Sequence, residues 1–177
     1  MTRLPSTSLL MLALACPALA QEVYPMIEFG VGHSLLHDNF DVIDSGFVTS
    51  ATGNFNSWLG AENEFGGRFD LDTWSYVGGP RLTLRRVRTS SYFHVLLGGG
   101  RQAASISGIA AAPFEAAAQV GGGVNLWTTP DVGVNFGGDY RKVYGDFGAN
   151  RNEVRFTIGV VFGAGTRPIE DFSPLVP

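Results

Sequence analysis

Near the end of the chain, Val154, Phe156, Ile158, Val160 and Phe162 alternate with Glu153, Arg155, Thr157 and Gly159. A period of two marks a β-strand, because successive side chains leave the pleat on opposite sides. One face of this segment is wholly apolar and the other carries ions, so the strand must divide two environments. The same split recurs upstream. Val23, Ile27, Phe29 and Val31 oppose Glu28, Gly30 and Gly32; Phe114, Ala116, Ala118, Val120, Val124 and Leu126 oppose Glu115, Gln119, Gly121, Gly123 and Asn125. Val132, Val134, Phe136 and Tyr140 likewise oppose Asn135, Asp139 and Arg141.

Strands of about ten residues with charge on one face and unbroken apolarity on the other fit a barrel with lipid outside. The alternation predicts eight strands, near 23–35, 46–53, 58–66, 74–85, 92–101, 113–126, 132–142 and 152–163. Twenty-four glycines and 12% aromatic residues suit a β-rich chain with tight turns and close backbones. A formal charge of −4 with only 16% charged residues argues against a nucleic-acid partner and against an acidic disordered tail.

The connections alternate in length. Asn54 to Ser57, Arg86 to Ser91 and Thr128 to Asp131 are short, whereas 36–45, 67–73, 102–112 and 143–151 are longer on the whole and hold His37, Asp38, Asp41, Asp44, Asp146 and Arg151. Outer-membrane barrels have short periplasmic turns and longer outer loops, which places both termini on the periplasmic side. Tyr24, Phe93 and Trp127 are expected at the interface near the short turns, and Trp74, Tyr76, Tyr140 and Tyr144 at the other. The parity of Trp58 puts it on the polar face instead.

Ahead of the strands, Arg3, the apolar run Leu9 to Ala15 and the small-residue site Ala18-Leu19-Ala20 make a secretory signal, with cleavage expected before Gln21. The run is shorter than the roughly 20 residues of a membrane-spanning helix. Cys16 belongs to this segment, and Ala13-Leu14-Ala15 before it does not suit lipidation, so the mature barrel is expected to have neither cysteine nor disulfide. The expected organisation is a signal over 1–20, a barrel over 21–163 and a short, flexible tail over 164–177.

These residues resemble the small eight-stranded outer-membrane β-barrel proteins of the OmpA-like transmembrane type. The carriers are Gly53-Asn54-Phe55-Asn56-Ser57-Trp58-Leu59-Gly60, Gly79-Pro80-Arg81, the segment from Phe93 to Gly100, Gly121 to Asn125, Asp139-Tyr140 and the segment from Asn152 to Phe162, in that order. The resemblance implies an all-β, antiparallel, up-and-down barrel in the outer membrane. Two departures stand out: about fifteen residues follow Phe162 where such barrels usually end, and that tail is too short to fold as a peptidoglycan-binding domain.

With this parity, Glu28, Glu62, Glu64, Glu115, Asp139 and Glu153 point inward together with Arg81, Arg85, Arg101, Arg141, Arg155 and His94. Ile27, Phe29, Val120, Val134, Phe136, Phe156, Ile158 and Val160 face lipid. The interior of an eight-stranded barrel is just wide enough for side chains to fill, so the expected lumen is a neutralised plug. The alternatives are a narrow pore through rearranged pairs, a lipid-modifying barrel enzyme, and a soluble lipocalin-like binding barrel with its faces exchanged.

Catalytic constellations are weak. Neighbours in a strand point apart, so His33 and Ser34 cannot pair as base and nucleophile, and no G-x-S-x-G elbow is present. His94 with Glu28 or Glu115 reads better as a lumen histidine bonded to a carboxylate than as a charge relay. His33 and His37 near Asp38 and Asp41 read as a solvated loop rather than a metal site, which needs three or four convergent ligands. Gly98-Gly99-Gly100 and Gly121-Gly122-Gly123 lack the Lys-Ser/Thr of a phosphate loop. The expected state is a non-enzymatic monomer without metal or cofactor, in contact with outer-membrane lipid.

Overall fold

The structure is a computed structural model, and it describes residues 23–38, 43–69, 73–102, 104–106, 109–111, 114–145 and 150–168. The expected signal segment, Asp41, Asp146 and residues 169–177 lie outside the described residues. Among the described residues ten strands occur in order: β1 Val23–Asp38, β2 Ile43–Asn54, β3 Leu59–Arg68, β4 Thr73–Arg85 and β5 Thr89–Gln102, then β6 Ala104–Ile106, β7 Ile109–Ala111, β8 Phe114–Trp127, β9 Val132–Tyr144 and β10 Arg151–Pro168. Eight of them close an antiparallel barrel in the order β1-β10-β9-β8-β5-β4-β3-β2, and β6 with β7 forms a separate hairpin. Closure leaves no strand edge in the barrel wall. No helix among the described residues is long and apolar enough to cross a membrane, which says nothing of strands.

All eight expected segments are strands, but several run further than the apolar alternation alone indicated. The expected connection at 36–45 shrinks because Leu36 pairs with Arg155 and Asp44, and His37 with Val154 and Ile43. Asp44, Arg68 and Arg151 thereby move from expected loops into strand ends. The alanine-rich stretch after Gln102 becomes the β6–β7 hairpin and the start of β8. At the other end β10 continues past Gly163 to Pro168, which pairs with Val23, so the first residues of the expected tail belong to the sheet.

Local chemistry fixes the short turns. Asn56 Oδ1 accepts from the backbone N–H groups of Trp58 at 3.0 Å and Leu59 at 2.7 Å, closing the β2–β3 turn. Thr129 Oγ1 accepts from Val132 N at 3.0 Å in the β8–β9 turn. Trp58 is exposed in its turn and takes no part in a strand face.

Around the wall the parity holds. Ile27, Phe29, Val120, Phe136, Phe156, Ile158 and Val160 are exposed and Val134 is half-buried, whereas Glu28, Glu62, Glu64, Arg81, Arg85, His94, Asp139, Arg141, Glu153 and Arg155 are buried. The molecule is apolar outside and ionic inside, the reverse of a water-soluble domain.

Candidate functional site: the lumen

The inward rows converge on a layered network along the barrel axis. At the short-turn end, Glu28 accepts from Arg85 Nη2 at 2.8 Å, Asn54 Nδ2 at 2.9 Å, Arg81 Nη2 at 3.1 Å and Asn125 Nδ2 at 3.3 Å. Four donors from three strands thus satisfy both oxygens of a carboxylate that is 1% exposed. The Arg81 guanidinium also lies 4.0 Å from the Tyr92 ring centroid and 3.6 Å from Glu62 Oε1.

In the middle layer His94 joins two acids. Nδ1 is 2.8 Å from Glu62 Oε2 and Nε2 is 2.8 Å from Asp139 Oδ1. Arg155 then bridges Asp139 to Glu64. Its Nε and Nη2 donate to Asp139 Oδ2 at 3.0 and 2.6 Å, and its Nη1 and Nη2 donate to the two oxygens of Glu64 at 2.7 and 2.6 Å. A planar guanidinium can serve two carboxylates at once where an ammonium acts as a point charge.

Towards the opposite mouth, Arg141 donates to Gln119 Oε1 through Nε at 3.0 Å and Nη2 at 2.8 Å, and reaches Ser75 Oγ at 3.0 Å. Arg68 joins Asp44 at 2.7 Å to Glu153 at 3.0 Å, and Arg151 pairs with Glu115 at 2.7 Å. Looser approaches of Arg141 and Arg151 to Glu153, at 3.9 and 4.0 Å, link these groups, so the carboxylates of Asp44, Glu28, Glu62, Glu64, Glu115, Asp139 and Glu153 meet His94 and the guanidiniums of Arg68, Arg81, Arg85, Arg141, Arg151 and Arg155 in one continuous system. Two cavities of about 50 and about 40 Å³ remain in it, and Arg155 lines both. Each has room for a few waters at most.

Backbone shape makes the network fit. A Cβ at Gly121 would collide with Asp139 Oδ1 and the Gly138 carbonyl, so only glycine leaves Asp139 its place beside His94. Gly123 and Gly137 similarly lie under the Tyr92 hydroxyl, which accepts from Asn135 Nδ2 at 3.0 Å.

Three expectations change. Arg101 is not among the buried lumen charges: it stands seven positions from His94, an odd step, so it falls on the outward row of β5 with Phe93, Val95 and Leu97 and is exposed at the rim, where it borders the larger cavity. The partners of His94 are Glu62 and Asp139 rather than Glu28 or Glu115, and since both ring nitrogens are engaged neither is left for a hydroxyl nucleophile. Tyr24 and Trp127 are not interface aromatics. Both are buried at the short-turn end, Trp127 Nε1 donating to Ser90 Oγ at 3.0 Å and Tyr24 lying 5.3 Å below the Arg85 guanidinium. His33 belongs to the outer wall, stacked on Phe69 with centroids 6.1 Å apart.

The lumen also has a part the charges did not announce. Val77, Leu96, Ala117 and Val143 form a buried apolar cluster on the inward rows of β4, β5, β8 and β9. Their signal was parity alone: Leu96 follows His94 by two and Val143 follows Arg141 by two.

A closed antiparallel barrel of eight strands, ionic within and apolar without, is the fold of the small outer-membrane barrels. Among solved structures, the N-terminal β-barrel domain of Pseudomonas aeruginosa OprF superposes with a TM-score of 0.62 at 13% identity, over 84% of this chain and 99% of that one. Neisserial surface protein A gives 0.56 at 16% identity over 81% and 98%, and Ail, the attachment invasion locus protein of Yersinia pestis, in complex with the heparin analogue sucrose octasulfate, gives 0.55 at 16% over 78% and 98%. At such identities the likeness is one of fold. No protein-family model and no curated protein matches the sequence.

Proposed function

We propose that this chain is an outer-membrane protein, inserted as a monomer, whose barrel is a sealed, non-catalytic scaffold that holds its long connections on the outer side. One observation carries the reading. Phe29, Phe136, Phe156 and Ile158 stand 45 to 62% exposed on the wall while Glu28, Asp139, Arg141, Glu153 and Arg155 of the same strands are buried. A continuous apolar wall of this extent is untenable in water and suits a hydrocarbon surround. The soluble, ligand-binding alternative needs these faces exchanged. Orientation follows from the turns: the three short ones and the ends of β1 and β10 share one side, assigned to the periplasm.

A narrow pore is the second reading, supported by the two cavities that Arg155 separates. Passage between them requires its pairs with Glu64 and Asp139 to open. The decisive experiment is to refold the mature chain with and without detergent, following circular dichroism and heat-modifiable gel migration, and then to record from planar bilayers. Detergent-dependent folding without single-channel steps supports the sealed scaffold. Steps that persist in the wild type favour the pore, and monomeric folding in plain buffer overturns the membrane assignment. Unchanged lipid A mass in cells expressing the chain separates the scaffold from a lipid-modifying enzyme.

A further inference from the structure

Asn63 is the fifth of the ten residues of β3 and stands exposed on its outward row, two residues before Phe65. A primary amide is out of place at mid-wall, because hydrocarbon offers nothing to its N–H groups. Its Oδ1 accepts from the Tyr76 hydroxyl at 2.8 Å, and no hydrogen bond among the described residues uses its Nδ2. Thr49, outward on the neighbouring strand, is by contrast served internally: its Oγ1 donates to the Phe65 carbonyl at 3.2 Å. The two N–H groups of Asn63 are left for a partner outside this barrel.

The wall around the amide is flat. Across the strands Asn63 ranks with Ala51 and Gly78, and the adjoining rank is Gly53, Ala61 and Pro80. Exposed Phe29 on β1 and Leu97 on β5 bound this patch roughly 19 Å apart, four strand spacings. Two features of its floor point outwards. A Cβ at Gly53 would meet nothing within 4 Å, so packing inside the barrel does not require glycine there, whereas close approach of a second backbone does. The β4–β5 ladder passes from Gly78–Leu97 to Arg81–His94, and Pro80 stands in the gap without an N–H to give, although sheets otherwise confine proline to their edges. On the outward rows of β2, β3 and β4 the described residues include no charge, so two such faces do not repel.

We propose that this face of the barrel packs against the same face of a second copy, around a two-fold axis along the membrane normal that passes beside Asn63. The amide selects its own kind. In an isologous contact a residue near the axis faces itself, and a primary amide is both donor and acceptor, so the two Asn63 side chains can exchange Nδ2–H···Oδ1 hydrogen bonds. An acyl chain supplies neither partner. The flat ranks beside Asn63 let the two walls approach closely enough for the exchange. The proposal rests on the membrane assignment made above and goes beyond it: each barrel inserts alone, and pairing follows in the bilayer.

The test labels the full mature chain through Ser57→Cys in the β2–β3 turn, since the one cysteine of the sequence, Cys16, lies in the expected signal. Donor- and acceptor-labelled copies are refolded together in phosphatidylcholine vesicles, and energy transfer is followed as added lipid dilutes the protein. Heat-modifiable migration of the same samples reports insertion. Chains with Asn63 intact are expected to show saturable transfer that falls on dilution. Asn63→Leu is expected to weaken pairing about tenfold, through loss of two hydrogen bonds within the membrane. Asn63→Ala, which adds no bulk, is expected to do the same and carries the test if Asn63→Leu does not insert. Phe136→Leu, on β9 across the barrel, is expected to leave pairing unchanged. Transfer no greater than random encounter gives, undiminished pairing in the Asn63 variants, or an equal loss in Phe136→Leu overturns the interface while leaving the inserted barrel intact. A parent chain that fails to insert overturns the membrane assignment and the interface together.

Discussion

Replacing Arg155 with Met removes a guanidinium from the centre of the lumen and keeps most of its apolar stem. Arg155 is 3% exposed and makes four N–H···O contacts of 2.6 to 3.0 Å with Glu64 and Asp139. After the change Glu64 keeps Arg141 at 3.4 Å and Asp139 keeps His94 at 2.8 Å, so both acids stay buried with one strong partner fewer. Removing one member of a buried ion pair costs about 3 to 5 kcal/mol, whereas a water-exposed pair contributes about 0 to 1 kcal/mol. Arg151→Met is the internal control, because the Arg151–Glu115 pair is more open, with side chains 19% and 15% exposed. Its expected cost is about 1 kcal/mol or less. Denaturant unfolding in lipid vesicles, read by gel migration and tryptophan fluorescence, gives both values. If Arg155→Met costs no more than Arg151→Met, the middle of the lumen is hydrated and the sealed-plug reasoning fails.

On the wall, Ile158→Arg puts a charge on an outward position of β10 and is expected to cost about 2 to 4 kcal/mol of stability in the bilayer, measured by the same unfolding titration. Gly121→Ala drives a methyl into Asp139 and the Gly138 carbonyl, and an overpacking loss of about 1 to 3 kcal/mol is expected; unchanged stability would mean that the strands part there at little cost. Trp127→Phe removes the donor to Ser90 and should lower stability by about 1 kcal/mol. Because Trp127 is enclosed, its loss should also remove the component of wild-type fluorescence that aqueous quenchers reach least.

The wall was legible in the sequence because lipid demands an unbroken apolar row, and a row of that kind is periodic over many residues. The lumen was legible only where charge betrayed it. Glu28, Glu62, Glu64, Glu153 and Arg155 announced themselves by interrupting apolar alternation, whereas Val77 and Leu96, on the same inward rows, look like any lipid-facing residue until parity is counted. Arg101 was misplaced by a slip of parity: it stands seven positions from His94, an odd step, which puts it on the outward row. The strand ends were hidden as well. Asp44, Arg68 and Arg151 are polar residues near turn signals, and their partners are inward side chains of other strands, as far apart in sequence as Arg68 and Glu153. Such long-range pairing leaves no local trace.

The scarcity of lysine follows from the same geometry. An eight-stranded barrel leaves too little room for hydration shells around the cations that meet its buried acids. A guanidinium resolves this by serving two acids from one plane: Arg155 joins Glu64 to Asp139, Arg81 joins Glu28 to Glu62, and Arg68 joins Asp44 to Glu153. An ammonium in any of these positions would lack the flat fork that reaches both acids and would carry a more tightly held hydration shell into a dry layer. Neutrality and close packing therefore select arginine throughout the lumen. The one lysine stands on the outer wall near the rim, where its ammonium can reach the interface and such bridging is not required.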